Sequence, residues 1–270
     1  MKKIKNAENL NNKIGVYLLI AALLIGSLLR FWNINNYPQL NADEAALGYN
    51  AYTLIETGRD EFGTSWPLVF RSFDDYKPGV YVYLAIPFVK VFGLEVWAVR
   101  MPGLFMSLVS IGFMYLVVRE LFKENRKVQI TAGISSLLLA VNPWHIHFSR
   151  GAWETQTAIG FLLIGWWCLL KFSENKKYLI GGIVSLVLAL YTYHSMRVIV
   201  PLIGVYFIWY NWKILRRDWK FSIGNLVLGA MLLVPFGLQI ISPTGISRAQ
   251  GVSLWSDQGP LWRANEIRAM

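Results

Sequence analysis

The chain has 270 residues, of which 55% are hydrophobic, 15% aromatic and only 16% charged, with a mean hydropathy of +0.40. A soluble domain of this length carries more charge and does not gather its apolar residues into successive long runs, so the composition excludes that class. What remains is an all-α, polytopic integral membrane protein. The formal net charge of +10 would favour nucleic acid in a soluble protein, but its distribution along the chain points elsewhere, and no nucleic-acid partner is expected. The single cysteine, Cys168, lies inside an apolar run, which removes a disulfide framework and a cysteine-rich zinc cluster from consideration.

The apolar runs are Ile14–Trp32, Gly79–Gly93, Met101–Leu121, Val128–Trp144, Thr155–Leu170, Tyr178–Tyr193, Val198–Trp212 and Phe221–Ile241. The first is too long for a signal-peptide core and lacks a small-residue cleavage site, so it is expected to be retained. A helix needs about 20 residues to cross the hydrocarbon core. Most runs reach that length once flanking aromatics and snorkelling basic residues are counted. Gly79–Gly93 does not, and it carries Pro87 and Lys90.

Charge decides the role of that short run. Lys2, Lys3, Lys5 and Lys13 precede the first span, and further basic clusters occur at Arg119–Lys127, Lys171–Lys177 and Lys213–Lys220. Positive residues concentrate on the cytoplasmic side. All four clusters share that side only if Gly79–Gly93 stays in the outer interface. The spans then number about seven. The inner segments carry the whole net charge of +10, and the outer ones balance to zero.

The first outer loop, residues 33–78, is the only long polar interval between apolar segments in the first 240 residues. Within it, Asp43-Glu44 opens a stretch with Leu47, Tyr49, Ala51, Tyr52 and Leu54 that predicts an amphipathic juxtamembrane helix, started at Asn41 or Asp43. A first-turn acid is favoured by the helix dipole, which accounts for one of the two acids without chemistry. Arg59, Asp60, Glu61 and Arg71 follow among glycines and a proline and read as turns with surface ion pairs. Lys77 stands directly before Pro78, at headgroup depth. Binding of a lipid phosphate and interfacial snorkelling both account for such a lysine.

Further along, His145 and His147 are spaced i, i+2, which suits a metal on an extended strand, but no acid adjoins them. Arg150 and Glu154 are four apart, as in a helical ion pair, and Arg150 is also suited to bidentate phosphate contact. His194 and Arg197 form a second outer turn. No phosphate-cradling glycine loop, nucleophile elbow or zincin signature is present.

Taken together, Asn41-Ala42-Asp43-Glu44, Tyr76-Lys77-Pro78, Phe92-Gly93, Arg100-Met101-Pro102 and Ser149-Arg150 resemble the membrane glycosyltransferases of the GT-C superfold. The nearest likeness is to glycosyltransferase family 39, the protein O-mannosyltransferase and aminoarabinose-transferase group. The resemblance implies one GT-C-type transmembrane module over residues 1–270, with 242–270 as the start of a larger outer loop and the C-terminal part missing. It implies transfer of a hexose or pentose from a polyprenyl-phosphate donor to a hydroxyl of a protein, lipid or glycan acceptor, on the extracytoplasmic face of a bacterial or archaeal plasma membrane. The catalytic acids would be Asp43 and Glu44, with Asp43 as the base, and Lys77, Arg150 and Arg197 would hold the donor phosphate. Some family members use a divalent metal; here Asp74, Asp75, His147, Glu154 and His194 are the accessory or metal candidates. The chain departs from the group in having Gly79 after Lys77-Pro78, and Tyr76 where some relatives carry a metal-binding acid. A lipid-linked glycan transporter or flippase is the alternative, since it too needs outer cations for a lipid phosphate; the few buried charges in the spans and the lack of a visible repeat argue against it.

Overall fold

The computed structural model describes residues 2–72 and 75–240; side chains are described from residue 9 to 239, apart from Asp75. The 242–270 stretch and Asp74 therefore lie outside the described residues, as does the side chain of Asp75. Ten helices and one short hairpin are described, in the order α1 (Lys2–Phe31), α2 (Ala42–Thr57), β1 (Val69–Ser72), β2 (Asp75–Pro78), α3 (Val80–Phe92), α4 (Val96–Leu121), α5 (Val128–Val141), α6 (Pro143–Ser149), α7 (Glu154–Lys171), α8 (Tyr178–Leu190), α9 (Met196–Arg217) and α10 (Trp219–Ile240). The protein is an all-α membrane protein.

Among the described residues, four helices are long and apolar enough to cross a membrane: α1 over Asn9–Phe31, α4, α9, and α10 over Trp219–Gln239. Helices also stand at the other three expected spans. Of these, α5 and α8 have 14 and 13 residues, and α7 opens on the polar Glu154-Thr155-Gln156. At a rise of about 1.5 Å per residue, the 13 residues of α3 extend roughly 20 Å, short of the hydrocarbon core. It packs between α2 and α4.

The bundle grows outward from α4, which packs on α1, α5 and α7, while α7 in turn carries α8, and α9 and α10 pack on α8 and on each other. Small residues set the closest approaches, as membrane helices require in the absence of a hydrophobic drive between them. A Cβ added to Gly133 of α5 would come within 2.6 Å of the Leu18 Cβ on α1. One added to Gly182 of α8 would meet Leu169 of α7 at 2.9 Å.

At one end of the bundle α2 and α3 bury Leu47, Ala51, Leu54, Tyr81, Val82, Ala85 and Val89 against Phe70 and Val99. The antiparallel hairpin β1–β2 pairs Phe70 with Lys77 and Arg71 with Tyr76. It is tied to its surroundings by Gly79 N–H donating to the Leu68 carbonyl, and by Val80 N–H donating to the Tyr191 carbonyl at the end of α8. At the opposite end, Lys171 bridges Glu120 and Glu174, and Lys176 pairs with Asp218.

The structure differs from the sequence reading at two breaks. The run Val128–Trp144 is not one helix: the Asn142 side chain accepts from His145 N–H and starts α6, with Pro143 in its first turn. An asparagine followed by proline is a strong start signal, since proline cannot continue α5 but fits the first helical position. Arg150 and Glu154, four apart, are not a pair on one helix either. Arg150 caps the C-terminus of α6, Glu154 opens α7, and Gly151-Ala152-Trp153 turns the chain between them.

Candidate active site

Asn41 is the N-cap of α2. Its side chain accepts from Glu44 N–H at 2.9 Å, and the Glu44 carboxylate reaches back to Asn41 N–H at 3.3 Å, completing a capping box. Asp43 and Glu44 are thereby fixed on the first turn. Neighbours on a helix point about 100° apart, and the two carboxylates go to different surroundings.

Glu44 turns inward and is 2% exposed. Arg100 of α4 grips it bidentately, Nε to Oε1 at 2.8 Å and Nη2 to Oε2 at 2.8 Å. Ala152 N–H donates to Oε1 at 2.7 Å. The remaining donors of Arg100 go to the carbonyls of Ile34 and Pro38, so one guanidinium fastens the whole entry to α2. Close packing leaves no slack here: a Cβ on Gly151 would lie 2.6 Å from Trp153 and 3.5 Å from Glu44 Oε1. Tyr81 is fully buried beside this cluster and donates its hydroxyl to the Val99 carbonyl at 3.0 Å. Burial pushes its hydroxyl well above the usual range, with Glu154 and Glu44 adding to the effect.

Asp43 turns outward. Its side chain is 43% exposed and pairs with Lys77 Nζ at 2.5 Å. Lys77 itself is largely covered, at 14%. It is held by the hairpin, and His194 Nε2 lies 3.2 Å from the neighbouring Tyr76 carbonyl. The turn between α8 and α9 therefore reaches the strand that presents Lys77. Arg197, in the first turn of α9, stacks over Phe236 of α10 at 5.1 Å.

Of the expected site residues, Asp43, Lys77 and His194 thus share one neighbourhood, while Glu44 is built into the wall behind it. The expected phosphate role for Arg150 does not match its geometry. Its Nη atoms donate to the carbonyls of Leu29, Trp32 and Tyr37 at 3.0, 2.7 and 2.8 Å, and its plane lies over the rings of Trp32 and Tyr37. The Leu29 and Trp32 carbonyls are left over at the end of α1, the natural target of a cation, and the Tyr37 carbonyl belongs to the loop that follows. Burial lowers the pKa of this guanidinium. His147 is exposed on α6 and packs edge-on against Phe148, whereas His145 points into the bundle. On a helix, residues two apart face opposite ways, so these two histidines do not form the strand-type metal pair that their spacing suggested. Glu154 is buried near Tyr81.

A metal finds no ready-made set of ligands among the described residues. No three His, Cys, Asp or Glu side chains converge there, and Asp43 already has Lys77 as its counter-ion.

Two residues central to this geometry were not among the expected site residues. Arg100 stands in the Arg-Met-Pro motif, and the visible signal was a charge at the mouth of an apolar run. Arg30 lies within the last turn of α1, inside the first apolar run, where a buried charge signals a role.

The sequence profile described as "Dolichyl-phosphate-mannose-protein mannosyltransferase" matches residues 76–238, which include Lys77, Arg100, Arg150 and Arg197 and begin after Asp43-Glu44. The chain is 25% identical over 220 residues to a curated protein of Bacillus subtilis (strain 168) named "Putative mannosyltransferase YycA", an alignment covering 80% of this chain and 31% of that protein. The chain therefore spans about a third of that relative's length. No solved structure matches it. With a family match over more than half its length, this membrane chain belongs to the dolichyl-phosphate-mannose-protein mannosyltransferase family of glycosyltransferases.

Proposed function

We propose that the protein transfers a hexose or pentose from a polyprenyl-phosphate donor to an acceptor hydroxyl at the extracytoplasmic face of the membrane. The observation that carries this reading is the Asp43–Lys77 pair: a half-exposed carboxylate and a hairpin-held cation in contact, beside a neighbouring carboxylate that is fully engaged elsewhere. The sugar of such a donor is already activated. The transferase needs a base for the incoming hydroxyl and positive charge for the departing phosphate.

In the proposed reaction the acceptor oxygen attacks the anomeric carbon while Asp43 takes the hydroxyl proton. The bond from that carbon to the phosphate oxygen breaks, and polyprenyl phosphate leaves with the bonding electrons. Lys77 moves from Asp43 to the phosphate, which frees the carboxylate to act as base. Arg197, on the turn that reaches the Lys77 strand, is the second phosphate cation. Arg150 serves the site by clamping the end of α1 and the start of the loop. Hexose and pentose donors are both compatible with these residues, and so are protein, lipid and glycan acceptors.

The face assignment rests on charge. The segments between spans at the end opposite Asp43 carry the basic clusters that favour the cytoplasm. With Glu124→Cys, a membrane-impermeant thiol reagent should label the protein only after permeabilisation. Labelling in intact cells would reverse the topology.

The decisive test supplies full-length protein with a polyprenyl-phosphate hexose and follows sugar into acceptor hydroxyls. Transfer that disappears in Asp43→Asn supports the reading. Movement of the lipid-linked sugar across the bilayer with no transfer would favour a transporter instead.

A further inference from the structure

We propose that Arg30, His145 and Gln156 are positioning residues for this reaction centre, setting the seat of α6 and through it the Ala152 N–H that holds Glu44. The inference rests on the reading of Asp43-Glu44 given above. Its starting point is a cation in an improbable place. Arg30 is 0% exposed in the last turn of α1, yet its described hydrogen bonds go to no carboxylate. An arginine near a helix end ordinarily snorkels to the interface. This one turns inward, to the carbonyls of Gly26 and Ala140 at 2.9 Å each and to His145 Nδ1 at 2.7 Å. Keeping a desolvated guanidinium inside a membrane bundle is costly, and what holds it there is the Ala140 carbonyl at the end of α5 together with the ring of His145.

The chemistry of the chain of contacts is determined by its first member. A guanidinium has only donors. His145 Nδ1 must therefore accept, so the ring is neutral and its proton sits on Nε2. Burial, with Arg30 nearby, pushes the pKa of His145 down to about 3, in agreement with that state. The Nε2–H lies 3.0 Å from the terminal amide of Gln156, itself 0% exposed in the first turn of α7. The amide nitrogen is drawn facing Nε2, but two donors cannot share a hydrogen bond, so the amide ends are exchanged and the oxygen accepts from Nε2–H. The same amide atom is 3.5 Å from Ser110 Oγ on α4, whose hydroxyl donates to the Met106 carbonyl and takes no part in the relay. One relay thus links α1, the end of α5, α6 and α7.

What the relay holds is α6, at its start, as the Arg150 clamp holds it at its end. The buried residues of this seven-residue helix are His145 and Ser149, both polar. Its inward face is therefore fixed largely by hydrogen bonds, with Ile146 and Phe148 only half-buried. The helix ends at Arg150, which grips the end of α1, and two residues later Ala152 N–H donates to Glu44 Oε1. A shift of α6 moves that donor. Glu44 then loses one of its fixed partners, and Asp43, its neighbour on the first turn of α2, moves with it. Misplacing a reacting group by about 1 Å costs on the order of 10²-fold in rate.

The test uses the full-length protein with a polyprenyl-phosphate hexose donor. Gln156→Met keeps the shape and removes the acceptor; Gln156→Glu keeps an acceptor oxygen. Gln156→Met should lower kcat roughly 10- to 100-fold with the donor KM within about twofold, and Gln156→Glu should recover most of the loss. A double-mutant cycle of Gln156→Met with Glu44→Gln should be non-additive in kcat, because both changes loosen the same turn. Equal kcat in Gln156→Met and wild type overturns the inference, as does additivity in the cycle. Asp43→Asn is measured in the same series. If Asp43→Asn is inactive while Gln156→Met is normal, only the positioning role fails; if Asp43→Asn is active, the underlying reading fails. A measurement on the unmutated protein stands apart from any folding defect: ¹⁵N-histidine NMR should show His145 as the neutral Nε2–H tautomer, and a Nδ1–H tautomer or an imidazolium at pH 7 overturns the relay.

Discussion

Two carboxylates one residue apart have opposite surroundings in this protein. Asp43 is 43% exposed and meets a single lysine, whereas Glu44 is buried, gripped bidentately by Arg100 and capped by two backbone N–H groups. A carboxylate with every strong acceptor direction filled cannot take a proton from a substrate without dismantling its site. One with a single mobile cation can release it and react. The difference separates a residue that builds the centre from one that works in it, and it arises from the 100° step between helical neighbours placed on a rigid N-cap.

The largest effect expected from breaking the open member is catalytic. In the full-length protein Asp43→Asn should lose turnover by roughly 10²–10⁴-fold, the range for removing a general base, while remaining inserted and still binding donor lipid. Glu44→Gln should instead reduce turnover and thermal stability together. Near-normal transfer by Asp43→Asn would remove both the base and the proposed centre.

Breaking the partners should separate the pairs along the other axis. Arg100→Met strands Glu44 with side-chain exposure of 1%, and a broken buried pair costs about 3–5 kcal/mol. Lys77→Met removes a partly exposed pair whose contribution to stability is about 1 kcal/mol or less. Thermal unfolding in detergent should therefore show a large drop for Arg100→Met and a small one for Lys77→Met, with donor affinity ordered the other way. Comparable stability losses in the two variants would erase the distinction between closed and open.

How much of this was legible beforehand follows the same division. The apolar runs, the start of α2 at Asn41, the failure of α3 to reach a span's length and the grouping of Asp43 with Lys77 could be read from local pattern and charge. The jobs of Arg30, Arg100 and Arg150 could not. Each stands where an arginine can either snorkel outward or turn in, and the choice is made by partners distant in sequence: the helix-end carbonyls of Ala140 for Arg30 and Leu29 for Arg150, and the Glu44 carboxylate for Arg100. Arg150 was expected at the phosphate from the resemblance and from the bidentate geometry of its guanidinium. The break at Asn142-Pro143 was legible in principle but hidden inside a continuous apolar run, and the four-residue strands of the hairpin are too short to show alternation.

The smallest expected effect concerns acid. The closed region includes His145, whose folded pKa of about 3 lies below the ordinary value of 6.5 because burial, and then Arg30, disfavours its charged form. Once the pH drops below about 6.5 the unfolded chain takes up a proton that the folded chain refuses, so stability rises with pH between about 3 and 6.5 and is lost as pH falls through that window. Between pH 7.5 and 5.5 this group should remove about 1.4 kcal/mol. Thermal unfolding of wild type and His145→Gln at the two pH values isolates the contribution, since all other titrating groups are shared. His145→Gln should start less stable and lose less on acidification. Parallel losses in the two proteins would mean that His145 takes a proton in the folded state, and the closed region would then be open to water on that side.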